Sequence, residues 1–183
     1  MFSPFQKGSL TFLFFAVSTT VAEKNASDKA PAASAPETPA PAVSDSFPAD
    51  LLNVKGEKIP RGSLKGKFVG VYFSASWCPP CRTFTPKLIE FRNKHKKEFE
   101  VVLVASEASA KAQANYMKKY EMPWLAVENQ SIGGKLLAKR HRIQFIPTLV
   151  VLAPDGEIVT SAAMTDVKSI PEKALSKWKK KAG

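Results

Sequence analysis

The chain has two cysteines, and they stand three apart in the run Ser74-Ala75-Ser76-Trp77-Cys78-Pro79-Pro80-Cys81-Arg82. A pair at that spacing can close to a disulfide and open to a dithiol, so the chemistry it suggests is two-electron thiol–disulfide exchange. The segment before it, Phe68-Val69-Gly70-Val71-Tyr72-Phe73, is β-branched and aromatic enough for a buried strand. The segment after it, Thr83 to Lys97, carries Phe84, Leu88 and Phe91 at helical spacing. The cysteines therefore belong to the start of a helix, where unpaired N–H groups and the positive end of the helix dipole favour a thiolate. Cys78 is the expected nucleophile, its pKa drawn below the ordinary thiol value, with Arg82 as an added cationic influence. Cys81, one turn further in, lies on the same face, is expected to be the more buried, and acts as the resolving partner. Pro79 and Pro80 suit a first helical turn, where a missing N–H costs nothing, and they stiffen the ring between the sulfurs. Trp77 is expected to shield one side of the sulfur pair.

Other uses of the pair are weaker. Exported proteins do carry structural disulfides. A bridge across two intervening residues, however, closes too small a loop to stabilise much through chain entropy. Zinc would need further ligands, and His95 and His141 lack the spacing to supply them. Both histidines read as surface residues. Trp124 and Phe145 suit either a substrate groove or the core.

The same residues resemble the thioredoxin superfamily, and within it the tryparedoxin and nucleoredoxin branch. The resemblance rests on Trp77-Cys78-Pro79-Pro80-Cys81-Arg82, Phe84-Thr85-Pro86, Glu121-Met122-Pro123-Trp124-Leu125-Ala126-Val127 and Ile146-Pro147-Thr148-Leu149. It spans roughly Leu51 to Ala163. It implies an α/β fold with a central mixed β-sheet flanked by helices. It also implies that Cys78 and Cys81 are the redox couple and that Pro147 is cis and lies against the disulfide. Pro86 would then kink the helix, with Trp77, Pro79, Pro80 and Arg82 as supports of the active site and Ile146 and, in the groove reading, Trp124 as candidate substrate contacts. No organic cofactor or metal is called for. Where thioredoxin has a buried aspartate six residues before the first cysteine, this chain has Tyr72, as the tryparedoxin branch does. The proton of the resolving thiol must then go to Glu107, water or the substrate.

The rest of the chain divides into appendages and one domain, as 183 residues would suggest. Lys7, the apolar run Leu10 to Val17 and the small residues ending Thr20-Val21-Ala22 read as a signal peptide over 1–22. An uncleaved anchor is less favoured, since a span needs about 20 apolar residues. Residues 23–49, rich in Ala, Pro and Ser, lack the apolar content to repay ordering and read as a linker. The folded domain is expected over 50–183. Its strands are expected at Leu51 to Val54, Phe68 to Ser74, Glu100 to Ser106 and Thr148 to Ala153, with a hairpin into Glu157 to Ala162. Its later helices are expected at Ala108 to Tyr120, Ser131 to Arg142 and Ile170 to Lys180.

The formal net charge is +11, and from Asp50 onward 24 Lys and Arg face 12 Asp and Glu, a net of +12. The lysines are spread over several predicted helices and no nucleic-acid motif accompanies them, so the reading is a solvated basic surface. Together these features predict an exported, periplasmic or secreted monomer. It would act as a thiol–disulfide oxidoreductase on disulfide-containing protein substrates, in the reductive direction, fed by a thiol electron donor. The alternative is a secreted binding module on the same fold whose disulfide stays closed.

Overall fold

The computed structural model describes residues 42–183. The readings of 1–22 as a signal peptide and of 23–41 as linker lie outside the described residues. Seven strands form one mixed sheet: β1 (Asp50–Leu52), β2 (Lys58–Pro60), β3 (Phe68–Ser74), β4 (Phe99–Ala105), β5 (Leu125–Ala126), β6 (Thr148–Leu152) and β7 (Ile158–Thr160). Their order is β2-β1-β5-β4-β3-β6-β7. β3 pairs in parallel with β4, and β4 with β5, while β6 runs antiparallel to β3. The helices are α1 (Pro79–His95), α2 (Ala110–Lys119), α3 (Ile132–Arg140), α4 (Ala163–Ser169) and α5 (Pro171–Ala182).

β3 is buried at all seven positions, which is why it reads as a continuous apolar run and not an alternation. Its side chains divide between two cores. Tyr72 joins Phe84, Leu88, Phe91, Phe99 and Trp178 on one face, where α1 and α5 pack. Val69, Val71 and Phe73 join Val104, Val127 and Leu137 on the other, under α3. Gly70 is required by packing: a Cβ there would come within 2.8 Å of the Phe99 ring and 3.0 Å of Leu149.

Three expectations need correction. The folded part begins upstream of Asp50, because Val43 and Phe47 are buried in the second core and Val43 N–H donates to Pro154 O at 2.8 Å. A short helix, α4, follows the hairpin where none was expected; it has no side-chain cap to announce it. The histidines are half-buried and not on the surface: His95 lies against Phe91 at 4.7 Å between ring centroids, and His141 stands edge-on to Phe73 at 6.3 Å. Burial pushes the pKa of each below its ordinary value, with Lys94 adding to the shift at His95 and Arg140 at His141.

Candidate active site

Cys78 is the residue that caps α1, and its side chain is the cap. The next two residues, Pro79 and Pro80, have no N–H, so the first free donor of the helix is that of Cys81. It points at Cys78 Sγ across 3.3 Å. A thiolate at Cys78 would be the better acceptor for that N–H, so the local geometry favours the ionised form in addition to the dipole. Arg82 N–H in turn donates to Cys78 O at 3.1 Å. The two sulfurs form a disulfide with the Cα atoms 5.3 Å apart. Both cysteines are buried, Cys78 at 4% accessible and Cys81, the more buried as expected, at 0%. The distinction between nucleophile and resolver therefore rests on a small difference in access and on which sulfur receives the helix N–H.

Opposite the sulfurs, the Ile146–Pro147 peptide is cis, as the resemblance implied. Ile146 packs on the small cluster of Ala75, Cys78 and Cys81, and its carbonyl oxygen lies 3.9 Å from Cys78 Sγ. Beneath Cys81 lies a chain of buried hydroxyls. Tyr72 OH donates to Cys81 O at 3.3 Å and pairs with Thr85 Oγ1 at 3.0 Å. Thr85 Oγ1 donates to Cys81 O at 2.9 Å and meets Tyr116 OH at 3.2 Å, and Tyr116 OH reaches Ser74 Oγ at 2.8 Å. Burial, and then the neighbouring Tyr116, push the Tyr72 phenol far above its ordinary value. It stays a neutral hydrogen-bonding group and is no base at physiological pH.

Glu107, a candidate acceptor for the Cys81 proton, has a different task. Its carboxylate takes Ser76 N–H on one oxygen at 2.5 Å and Ser76 Oγ–H on the other at 3.0 Å. It clamps the loop that enters the cysteine motif, and it is buried there. The loop carrying Glu107 is held in turn by Asn129 and Gln130, whose side-chain amides donate to Glu107 O at 3.1 and 3.2 Å.

Trp77 is 62% exposed, and its indole N–H donates to Ser106 O at 2.9 Å, which fixes the ring at the surface. A groove of about 430 Å³ opens there, lined by Phe73, Val104, Val127, Ile143 and Ile146 and bordered by Trp77 and Phe145. Phe145, 72% exposed, thus takes the groove reading. Trp124 does not: it is 2% exposed and edge-on to Tyr72 at 6.3 Å, so it is a core residue with no surface to offer a substrate. Arg82, Pro79 and Pro80 are exposed around the sulfurs, and Pro147 is buried. The sequence reading missed the roles of Ser76, Thr85, Ser106 and Tyr116. Their partners lie up to 42 residues away in the chain, so no local pattern marks them.

A family model described as thioredoxin-like matches residues 66–158. The chain belongs to the thioredoxin-like family. Tryparedoxin of Trypanosoma brucei brucei is 44% identical over 133 residues, which cover 70% of this chain and 90% of that protein. Nucleoredoxin of Mus musculus is 42% identical over 121 residues, 64% of this chain and 27% of that protein. The chain therefore spans little more than a quarter of the nucleoredoxin it matches. Among solved structures, tryparedoxin from Trypanosoma brucei superposes with a TM-score of 0.66 at 41% identity, covering 74% of this chain and 96% of that one. Tryparedoxin II complexed with glutathionylspermidine gives 0.63 at 39% identity, covering 69% and 90%. As a member of this family the chain is a thioredoxin-fold redox protein whose cysteine pair can form a disulfide, and its α/β fold with a mixed sheet flanked by helices is the family's.

Proposed function

We propose that the protein is an exported reductase of protein disulfides, with Cys78 as nucleophile and Cys81 as resolver. The observation that carries this reading is the aim of the first free N–H of α1 at Cys78 Sγ, beside an exposed groove. In the reduced protein, Cys78 thiolate attacks one sulfur of a substrate disulfide. A mixed disulfide forms and the other substrate sulfur leaves as a thiolate. Cys81 then loses its proton to solvent or to the departing thiolate and attacks Cys78 Sγ. The second substrate sulfur is released, and two electrons have passed to the substrate. The Ile146 backbone beside Cys78 and the groove bounded by Trp77 and Phe145 would align the substrate chain. Two thiol groups from a small-thiol donor restore the dithiol and leave as the donor's disulfide; the glutathionylspermidine bound to the structurally similar tryparedoxin II supports a donor of that chemical class.

Turbidimetric insulin reduction driven by dithiothreitol tests the activity. The wild type should accelerate it and Cys78→Ser should not; equal rates would remove the enzyme reading. Cys81→Ser should trap a mixed disulfide on Cys78, and an adduct found on Cys81 in the Cys78→Ser protein would reverse the roles. Export is tested by N-terminal sequencing of protein recovered outside the cytosol, with cleavage expected after Ala22 or a few residues beyond. An intact Met1 in a membrane fraction would support the anchored form.

A further inference from the structure

The lysines that seem scattered along the sequence converge in the fold. α1 has 17 residues and is about 25 Å long. Its start holds the disulfide, and its end and the turn after it carry Lys94, Lys96 and Lys97. The end of α5, with Lys179, Lys180 and Lys181, lies beside that turn. Trp178 packs on Phe91 and Phe99 at 5.4 and 5.6 Å between ring centroids, and Lys179 pairs with Glu98. The entry to β3 joins them, since Phe68 N–H donates to Glu98 O at 2.9 Å, and this brings in Lys65 and Lys67. All six helix-end lysines and Lys65 are exposed. Three acidic groups near this end are engaged: Glu98 by Lys179, Glu100 by Arg92 at 2.6 Å and Lys67 at 3.8 Å, and Asp166, which also feels the charge of Lys181, by Lys177 at 2.7 Å.

We propose that this lysine-rich end docks on an anionic lipid surface and leaves the disulfide end facing away from it. Two features favour a bilayer over a nucleic acid. The exposed charges are ammonium groups, which act on a charged surface as point charges, and the nearby Arg92 guanidinium, suited to forked recognition, is committed to Glu100. Among the described residues, the large exposed aromatic rings are Trp77 and Phe145, both at the disulfide end, so the patch has no platform on which bases could stack.

The test is co-sedimentation of residues 23–183, the form the proposed cleavage leaves, with phosphatidylcholine vesicles, with and without replacement of about a third of the lipid by phosphatidylglycerol. Two variants of equal charge are compared: Lys96→Gln/Lys97→Gln/Lys180→Gln/Lys181→Gln in the patch, and Lys87→Gln/Lys111→Gln/Lys139→Gln/Lys173→Gln elsewhere. The wild type should bind the anionic vesicles selectively and release them in high salt. The patch variant should lose binding on the order of a hundredfold or more, as several lysines each worth about fivefold predict. The scattered variant should lose far less. Both should melt like the wild type and keep its insulin-reduction rate, so a failure here is separable from a failure of the redox reading. Equal losses in the two variants, equal binding to neutral and anionic vesicles, or tighter binding to a short DNA duplex at the same salt would each overturn the proposal.

Discussion

The two ends of α1 are held by different kinds of interaction. At its start, the helix is secured by bonds from single polar side chains: the Cys78 cap, the Tyr72 and Thr85 hydroxyls on Cys81 O, and the Glu107 clamp on the loop before it. At its end, Phe91 meets the rings of Phe99 and Trp178 edge to face, those two rings lie tilted on each other, and buried carboxylates fix the elements around them. Apolar burial supplies most of the stability of a fold, and polar bonds fix geometry at a modest net gain. The comparison therefore assigns stability chiefly to the far end and alignment of the sulfurs to the near end. Substitutions should separate the two.

The largest effect is expected at Trp178, which is 1% exposed and whose indole N–H donates to Asp166 at 2.8 Å. Trp178→Ala should cost about 3–5 kcal/mol in denaturant unfolding, from lost burial and the cavity left behind. Insulin reduction by the fraction that remains folded should be close to wild type. A loss of specific activity in excess of the loss of folded protein would show that the far end also positions the sulfurs.

The near end was the more legible of the two in the sequence, for physical reasons. Its cysteines, prolines and flanking strand are contiguous, and the spacing alone places them at a helix start. The clamp is not contiguous: Ser76 and Glu107 are 31 residues apart and meet only because β3 and β4 pair in parallel. Trp124 was ambiguous because an aromatic residue beside a proline carries no sign of which way it faces; its burial against Tyr72 is a tertiary fact. At the upstream edge, a segment rich in Pro, Ala and Ser hid two anchoring residues, since Val43 and Phe47 show no periodicity. Phe47, 3% exposed, makes this a second prediction. Phe47→Ala should cost about 3 kcal/mol in the same unfolding experiment, and an unchanged midpoint would restore Asp50 as the start of the packed domain.

Asp166 sharpens the account of the far end. Burial alone would raise its pKa, but hydrogen bonds from Lys177 and Trp178, with the charges of Lys177 and Lys181, hold it below the ordinary carboxylate value. A carboxylate depressed in the folded state stabilises it above the unfolded pKa, near ~3.9, and that contribution is lost as pH falls through the folded value. Lys177 is 57% exposed, so the ion pair itself contributes little and the buried bond to Trp178 contributes more. Asp166→Asn should therefore cost about 1–2 kcal/mol at neutral pH, and the gap from wild type should narrow in acid below about pH 4. A gap that persisted unchanged to low pH would assign the loss to packing and not to the charge.

The smallest effect is expected at the near end, at Tyr72. Removing its hydroxyl leaves Thr85 still donating to Cys81 O at 2.9 Å and still paired with Tyr116, so little is stranded. Tyr72→Phe should cost about 0.5–1.5 kcal/mol at neutral pH. The pH dependence carries more information. Because burial, and next Tyr116, raise the folded phenol above its unfolded value near ~10, the proton is held more tightly in the folded state. The associated stability is complete below that pH and is lost as pH rises toward the folded value. The wild type should thus weaken above about pH 10 more than the phenylalanine variant, and the two stability curves should approach one another there. Between about pH 6 and 9 the phenol stays protonated in the folded protein, so the pH midpoint for alkylation of Cys78 by iodoacetamide should be the same in both. A displaced midpoint would mean that the hydroxyl chain tunes the nucleophile's charge, and the near end would then be an electrostatic device as well as a positioning one.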